Sequence, residues 1–141
     1  MAEAIFRKKV KDAGLEGKID VDSAGTGDWH VGKQPHEGTI NILNEYHIDH
    51  DGITARQVEK KDLQTFDYIV AMDASNMNNL QKLKGEGEVN GKMFRLLDLV
   101  PEKATKDVPD PYFTGNFEEV YNLINIGCDR LLDMIKKEKI K

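Results

Sequence analysis

Cysteine is scarce in this sequence, because Cys128 is the single cysteine among 141 residues. One cysteine cannot form a disulfide within the chain, and such scarcity is typical of proteins of the reducing cytoplasm. Long apolar runs are also missing, since none approaches the roughly 20 residues that a membrane-spanning helix needs. No signal peptide is recognisable at the start of the sequence. The sequence therefore predicts a cytoplasmic protein that does not associate with membranes.

Positive charge is outweighed by negative charge. The chain has 20 Lys and Arg residues against 25 Asp and Glu residues, which gives a formal net charge of −5. General nucleic-acid binders are usually basic, so the sequence predicts no nucleic-acid partner.

Clustered metal ligands are equally scarce. His47 and His50 lie near Asp49 and Asp51, but nothing in this spacing fixes a coordination geometry. The group is more simply explained as a solvated turn, and we expect neither a metal ion nor another cofactor.

The apolar residues indicate one domain that spans residues 1–141. The pattern predicts helices at 1–13, 40 to about 51, 59–64, 76–83 and 116–137, and strands at 19–22, 67–73 and 92–97. Gly14 is the predicted stop of the first helix, Asp73 or Ser75 the predicted cap of the helix at 76–83, and Asn116 the predicted cap of the last helix. The predicted apolar stripe of the last helix consists of Phe117, Val120, Tyr121, Ile124, Cys128, Leu131, Leu132 and Ile135. The run at 67–73 is continuously apolar between acids, as in a strand that is buried on both faces. This order of elements is that of an α/β fold, a parallel sheet with helices on both faces.

Asp110 is the acid whose surroundings are most unusual. It stands between Pro109 and Pro111, and each proline fixes its own φ at about −65° and pushes the preceding residue toward extended geometry. Tyr112 and Phe113 follow directly. A stiffly held acid beside aromatic rings suits a proton donor at the mouth of a pocket that accepts an aromatic group. It also suits a proline-rich start of a helix, and the local sequence leaves both interpretations open.

The order of the strands favours a functional Asp110. The predicted strands end at 22–24, at 72–73 and after Leu97, from where the chain leads to Asp110. Ligands of open α/β sheets bind beyond the carboxyl ends of the strands. We therefore expect these segments, together with the loop that carries Trp29, to converge on one edge of the sheet.

Several strings of the sequence closely resemble one enzyme family. They are DSAGTG at 22–27, PHEGT at 35–39, ARQ at 55–57, FDYIVAMD at 66–73, SN at 75–76 and DVPDPYFTGNFEEVY at 107–121. In order and spacing they resemble the bacterial branch of the low-molecular-weight protein tyrosine phosphatases. The resemblance covers essentially all 141 residues.

The resemblance implies a mechanism. In this family a cysteine thiolate attacks phosphorus, an arginine and backbone N–H groups hold the phosphate, and an aspartic acid protonates the leaving phenol. Asp110 matches the position of that acid, and in the second step it would take a proton from the water that hydrolyses the cysteinyl phosphate. The implied substrate is a phosphotyrosine protein or a small aryl phosphate.

Further positions match the family's substrate and phosphate contacts. The residues that match the aromatic-gripping entrance are Trp29, His30, Tyr112 and Phe113. The residues that match supports behind the phosphate loop are Ser23 and Asp73.

The sequence departs from the family at its nucleophile. The family's motif, a cysteine and an arginine separated by five residues, lies on the first strand and on the turn before the first helix, and Met1 occupies the place where that turn ends. We therefore expect these 141 residues to lack the first central strand, the nucleophile and the phosphate-binding arginine, and to be inactive. Cys128 does not replace the nucleophile, because Met134 stands six positions later. Cys128 lies on an apolar helical stripe, where a buried core side chain is expected.

Loss of a central strand would also reduce stability. About four buried apolar side chains at about 1.5–3 kcal/mol each amount to about 6–12 kcal/mol. A whole domain is typically stable by only about 5–15 kcal/mol. We therefore expect a rearranged sheet, a strand-swapped oligomer or a misassigned start codon.

Two other functions fit the same scaffold. One is a catalytically dead binding or assembly module, and the other is a protein arginine phosphatase. The Trp29 loop and the Tyr112–Phe113 pair resemble the tyrosine-directed branch more closely. An arsenate reductase would need additional redox cysteines, which this sequence does not have.

Overall fold

Three helices precede the first strand in the computed structural model, which describes residues 1–25, 37–53, 56–87, 89, 91–103, 106–109 and 116–139. The helices are α1 (Ala2–Asp12), α2 (Glu37–Glu45), α3 (Asp62–Thr65), α4 (Ala74–Lys84) and α5 (Phe117–Lys139). The strands are β1 (Tyr68–Ala71) and β2 (Lys92–Arg95), and a 3₁₀ helix, Leu96–Leu99, follows β2 directly.

The two strands are parallel, and Tyr68 lies opposite Lys92 in their register. Successive side chains of a strand point to opposite faces. Tyr68 and Val70 accordingly pack against a core built from α1, α2 and α5, whereas Ile69 and Ala71 pack with residues of α3 and α4. Helices cover both faces of the parallel pair, and the predicted α/β architecture is confirmed.

The last helix, α5, is 23 residues long and buries one stripe along its length. The buried members are Val120, Tyr121, Leu123, Ile124, Gly127, Cys128, Leu131, Leu132 and Ile135. This stripe packs against α1, α2 and the 3₁₀ helix. The predicted stripe is confirmed except at Phe117, which is only half-buried. Polar residues cover the other face of α5. In the described part of the chain, no helix is long and apolar enough to cross a membrane.

Local chemistry sets the helix ends that the sequence predicts. Gly14, the predicted stop of α1, has a φ of 70°, and its N–H donates to the carbonyl of Lys11 at 2.9 Å. Asn116, the predicted cap of the last helix, accepts the N–H of Glu119 on its side-chain oxygen at 3.0 Å. Both devices satisfy backbone groups that a helix end otherwise leaves unpaired.

The strand predicted at 19–22 is not formed. Ile19 makes an isolated bridge with Glu16, and residues 20–24 belong to no strand. Ile19 and Val21 are nevertheless half-buried against the main core. The alternating pattern correctly predicted which side chains face the core. It could not predict a strand, because a strand requires a paired neighbour, and none lies beside this segment in the described residues.

The expectation that the first strand of the pair is buried on both faces is also wrong. Ala71 is buried, but Tyr68, Ile69 and Val70 are only partly buried. Helices cover both faces, yet β2 is the one strand that pairs with β1 among the described residues. A strand that is paired along a single edge leaves its side chains less enclosed than one with neighbours on both sides.

The prediction that the second helix extends to about 51 is wrong. His47 has a φ of 56°, the left-handed conformation in which helices commonly terminate. Its N–H donates to the carbonyl of Asn44 at 3.1 Å, and the N–H of Ile48 donates to the carbonyl of Leu43 at 2.8 Å. These bonds close α2, and a histidine in this conformation cannot be inferred from apolar spacing.

The strand predicted at 92–97 ends early. Leu96 and Leu97 belong to the 3₁₀ helix, because the carboxylate of Asp98 accepts the N–H of Arg95 at 3.1 Å and caps that turn. Both leucines are fully buried. The apolar pattern therefore predicted their burial but not their conformation.

Candidate active site

Most of the residues that the sequence assigns to catalysis and substrate binding lie outside the described residues. They are Trp29, His30, Asp110, Tyr112 and Phe113. Their roles therefore stay predictions, and the site is built here from the described residues that lead to them.

The segment that leads to Asp110 lies against the carboxyl end of β1. The N–H of Val108 donates to the carbonyl of Met72 at 2.8 Å, and Val108 is buried. The carboxylate of Asp107 accepts the N–H of Ala74 at 2.9 Å. The predicted convergence of this segment with the end of the 67–73 run is confirmed, and it brings the chain to within two residues of Asp110.

Asp107 also receives a charged partner from the other strand. The Nη1 atom of Arg95, the last residue of β2, lies 3.4 Å from Asp107 Oδ1. One carboxylate thus contacts the carboxyl end of β2 and the backbone at the start of α4. Sequence analysis offered no reason to single out Asp107, because both contacts are made with residues distant in the chain.

Asp73 lies at the same end of the sheet and caps α4. Its carboxylate accepts the N–H of Asn76 at 2.7 Å. The sequence offered Asp73 or Ser75 as the cap, and Asp73 fills that role. Its predicted contribution behind a phosphate loop stays a prediction.

Ser23 is held at the N-terminal end of α1. Its hydroxyl donates to Glu3 Oε1 at 2.6 Å. Glu3 lies in the first turn of α1, where a negative charge is favourable to the helix dipole. Its side chain is only 9% exposed, and Arg7 Nη1 lies 3.3 Å from its second oxygen. Sequence analysis identified Ser23 but missed Glu3, which is 20 residues away from it.

Arg56 forms the densest ion-pair cluster near Ser23. Its Nη1 atom lies 2.9 Å from Asp62 Oδ2, and its Nε atom lies 3.1 Å from Asp22 Oδ2. Hydrogen bonding to Asp62 raises the pKa of the Arg56 guanidinium. Partial burial alone would raise the pKa of Asp62, but the hydrogen bonds from Arg56 and from the Glu59 N–H outweigh it, so the pKa of Asp62 lies below its usual value. The ARQ string contained this arginine without indicating its partners.

Helices α2 and α5, which begin after residues 26–36 and 110–115 that lie outside the described residues, are packed against each other. The rings of Tyr46 and Tyr121 are stacked with centroids 4.0 Å apart and planes 10° apart. The Tyr46 hydroxyl donates to Glu118, which raises the pKa of Tyr46 to about 12. At the start of α2, a Cβ added to Gly38 would clash with the ring of Phe117. The two helices are therefore fixed against each other.

All of the residues from 1 to 141 match the profile of the low molecular weight phosphotyrosine protein phosphatases. The chain belongs to this family. Its α/β fold and its assignment as a phosphatase, a hydrolase, follow from this membership.

Similar proteins cover nearly the whole chain. Low molecular weight protein-tyrosine-phosphatase YfkJ of Bacillus subtilis is 55% identical over 139 residues, which are 99% of this chain and 88% of YfkJ. Low molecular weight protein-tyrosine-phosphatase PtpA of Staphylococcus haemolyticus is 45% identical over 138 residues, which are 98% of this chain and 86% of PtpA.

Solved structures of phosphatases are also similar to nearly the whole chain. The crystal structure of Bacillus subtilis YfkJ is similar with a TM-score of 0.94 and 54% sequence identity, covering 98% of this chain and 86% of that chain. The crystal structure of a Drosophila arginine phosphatase is similar with a TM-score of 0.88 and 30% identity, covering 98% of this chain and 90% of that chain.

Cys128 is not placed as the nucleophile of a phosphatase. It is 2% exposed within the core of α5, as the sequence predicted. Burial raises the pKa of its thiol to about 12, so the thiol is neutral at physiological pH. A nucleophilic cysteine needs the thiolate form and access to substrate, and Cys128 has neither.

The histidine-containing turn makes ordinary polar contacts. A ring nitrogen of His50 lies 3.1 Å from the side-chain oxygen of Asn44. Within the described ranges of this phosphatase, no group of three or more His, Cys, Asp or Glu side chains is arranged to hold a metal ion.

Proposed function

We propose that this chain is the scaffold of a cytoplasmic low-molecular-weight protein tyrosine phosphatase, whose reaction on phosphotyrosine proteins or small aryl phosphates uses Asp110 as the general acid and base. The observation that carries the proposal is the anchoring of residues 107–108 at the carboxyl end of β1. The N–H of Val108 donates to the carbonyl of Met72, and the carboxylate of Asp107 accepts the N–H of Ala74 at the start of α4. Ligands of open α/β sheets bind at this edge, and Asp110 follows the anchor by two residues in the sequence, which supports the proposed role.

The proposed role of Asp110 has two steps. In the first, the protonated acid gives its proton to the phenolic oxygen as the bond between phosphorus and that oxygen breaks and the bond between sulfur and phosphorus forms. In the second, the carboxylate takes a proton from water as the water oxygen attacks phosphorus and the thiolate leaves. A positioned acid or base of this kind typically contributes about 10²–10⁴-fold in rate.

The aromatic ring of the substrate would be gripped by two segments. Trp29 and His30 stand on one, and Tyr112 and Phe113 stand on the other. Aromatic side chains bury a large area against a ring, which would favour phenyl phosphates over alkyl phosphates. Both segments lead into helices that are packed on each other through Tyr46 and Tyr121, which supports a common pocket.

Ser23 and Asp73 would support the phosphate loop from behind, and the phosphate would lie in front of the N-terminus of α1. Backbone N–H groups at the start of a helix favour an anion. We propose that the 141 residues, taken as a polypeptide, do not turn over substrate, because their one cysteine is the buried Cys128. In this proposal the cysteine and the arginine of the family's phosphate loop have no counterpart among the 141 residues.

The test is hydrolysis of p-nitrophenyl phosphate by three proteins. They are the 141-residue chain, the same chain joined before Met1 to a strand and a loop with a cysteine and an arginine separated by five residues, and the joined chain with Asp110→Asn. We expect turnover in the joined chain alone, reduced about 10²–10⁴-fold by Asp110→Asn. Turnover by the 141-residue chain would overturn the assignment of the nucleophile, and an unchanged rate in Asp110→Asn would overturn the assignment of the acid.

Arginine phosphatase activity is a second candidate. The similar Drosophila structure, 30% identical, is that of an arginine phosphatase, whereas the curated relatives at 55% and 45% identity are protein-tyrosine phosphatases. We expect the joined chain to have a higher kcat/KM for phosphotyrosine peptide than for phosphoarginine peptide, and the reverse order would favour the second candidate.

A binding module without catalysis would still recognise phosphate. If the scaffold keeps that site, inorganic phosphate raises the midpoint of thermal unfolding of the 141-residue chain, because a ligand that binds the native state stabilises it. A midpoint that is independent of phosphate would leave the 141-residue chain without a phosphate site.

A further inference from the structure

The side chain of Arg56 joins two segments that are distant in sequence. Its Nη1 and Nη2 atoms donate to the two oxygens of Asp62 at 2.9 and 3.4 Å, and its Nε atom donates to Asp22 at 3.1 Å. The guanidinium therefore uses three of its donors on two carboxylates. A lysine could not reproduce this planar fork, because its ammonium is a single point of charge.

The backbone of Arg56 holds the same segment a second time. The N–H of Gly25 donates to the carbonyl of Arg56 at 2.8 Å, and the N–H of Val58 donates to the carbonyl of Gly25 at 2.8 Å. Residues 22–25 are therefore fixed at both ends, by a side-chain ion pair at Asp22 and by a parallel bridge at Gly25. We call this arrangement, formed by Asp22, Gly25, Arg56, Val58 and Asp62, the Arg56 clamp.

Ser23 lies between the two anchor points of the Arg56 clamp. With its neighbours held on both sides, its hydroxyl donates to Glu3 at 2.6 Å, at the N-terminal end of α1. Residues 20–24 belong to no strand, so no regular ladder fixes this segment. The Arg56 clamp supplies the fixation that a strand would otherwise give.

Burial within the Arg56 clamp is uneven. The Asp62 side chain is 13% exposed, whereas Asp22 is 46% exposed. Asp62 is therefore the inner anchor of the guanidinium. Asp62 Oδ2 also accepts the N–H of Glu59 at 2.7 Å, which holds the carboxylate in place. Asp22 is the outer partner, which can be altered without exposing a buried charge.

We propose that Arg56 is a positioning residue that sets the place of Gly25 and of Ser23, the latter at the N-terminus of α1. In the phosphatase reaction this fixes the Ser23 support relative to the phosphate, a meaning that rests on the proposed function. Arg56 itself does not touch the reacting atoms.

The test compares amide hydrogen exchange in four variants of the 141-residue chain. Arg56→Gln removes the fork, Arg56→Lys keeps only the charge, and Asp22→Asn removes the outer partner alone. Arg130→Gln is the matched control, because Arg130 makes a similar two-bond pair with Glu102, at 2.9 and 2.9 Å, elsewhere on the molecule.

We expect Arg56→Gln to speed exchange of the Gly25 and Val58 amides about tenfold, the size expected when charge-assisted hydrogen bonds are lost. The slowest amides of α5, which report global unfolding, should change no more than in Arg130→Gln. Arg56→Lys should restore part of the protection at Gly25 and Val58.

Uniform acceleration of all amides in Arg56→Gln would show a general stabilising role and overturn the proposal. If Arg56→Gln does not fold, Asp22→Asn decides. It must speed exchange at Gly25 while leaving α5 unchanged, and exchange at Gly25 equal to that of the unaltered chain overturns the proposal.

The activity of the joined chain separates the proposed phosphatase function from the positioning role of Arg56. If that chain hydrolyses p-nitrophenyl phosphate, Arg56→Gln should lower its kcat/KM and Arg130→Gln should not, and equal activity in both variants would contradict the positioning role. If the joined chain is inactive while the exchange pattern is as expected, the proposed function fails and the reading of the Arg56 clamp as part of a phosphatase site fails with it. If activity is present and the exchange pattern is absent, the Arg56 clamp alone is wrong.

Discussion

At the scale of single residues, Cys128 gives a sharp prediction. Because burial raises the pKa of its thiol to about 12, the native chain should react negligibly with a thiol reagent such as 5,5′-dithiobis(2-nitrobenzoate) at pH 8. In denaturant the same thiol should react fully and at the rate of an unperturbed cysteine. Rapid stoichiometric reaction of the native protein would mean that Cys128 is accessible as a thiolate, contrary to its place in the core.

Asp62 gives a prediction about pH. Its pKa is lowered in the folded chain, so the folded state favours the carboxylate. The stabilisation is complete above the pKa of an unfolded aspartate, about 3.9, and it is lost as the pH falls through the lower pKa of the folded state. The contribution of Asp62 to the free energy of unfolding should therefore stay constant from pH 7 to about pH 5 and fall as the pH drops below about 4.

The variant Asp62→Asn isolates this contribution. It should lower the free energy of unfolding at pH 7 by about 1.5–3 kcal/mol, the range for hydrogen bonds to charged groups, and it should flatten the decline toward pH 3. Asp12→Asn, which alters an exposed pair with Lys8, is the control. An equally steep decline in Asp62→Asn and in the unaltered chain would contradict the assignment.

At the scale of elements, Gly127 controls how closely α5 approaches the 3₁₀ helix. A Cβ at this position would lie 2.5 Å from Leu96 Cγ, and Leu96 is fully buried. Overpacking of this kind costs about 1–3 kcal/mol, whereas replacing glycine by alanine within a helix gains about 1 kcal/mol. We expect Gly127→Ala to be destabilising on balance in urea unfolding.

Two further variants make the Gly127 prediction specific. Asn122→Ala, at an exposed position of α5, should be neutral or stabilising. Leu96→Val combined with Gly127→Ala should recover part of the loss, because the two positions are in contact and their effects are not additive. A stabilising Gly127→Ala would show that α5 and the 3₁₀ helix are not in close contact.

The elements that could be predicted are those fixed by neighbouring residues. Gly14 ends α1, Asp73 and Asn116 cap the helices that follow them, and Cys128 lies on a stripe of regular spacing, so short-range chemistry was sufficient. The absence of a strand at 19–22 could not be predicted, because strand pairing depends on a distant neighbour rather than on alternation. In the candidate site, Asp110 could be identified for the same reason as the helix ends. The prolines on either side of it and the two aromatic residues that follow are neighbours in the sequence.

The contacts that define the site were less accessible to sequence analysis. Arg56 reaches Asp22 across 34 residues, and Ser23 reaches Glu3 across 20. Charged residues are common on surfaces, so Asp22 and Glu3 could not be distinguished in the sequence from ordinary solvated side chains. The family resemblance pointed to Ser23, and only the fold identified what holds it.

At the scale of the whole molecule, the strand-swapped or rearranged oligomer stays a prediction. β1 pairs with β2 along one edge in the described residues, and an unpaired strand edge favours association with another chain. We expect light scattering of the 141-residue chain to give a mass that rises above the 16.0 kDa of one copy with increasing concentration. A constant mass of one copy, with cooperative unfolding, would contradict this expectation.

The central claim is that the chain provides the acid half of a phosphatase site and that Cys128 is not the other half. The most direct test is hydrolysis of p-nitrophenyl phosphate by the 141-residue chain and by Cys128→Ser of that chain, beside the joined chain that carries the cysteine and arginine loop. The account predicts background rates for the first two proteins and turnover that depends on Asp110 in the third. Turnover by the 141-residue chain that is abolished by Cys128→Ser would contradict it.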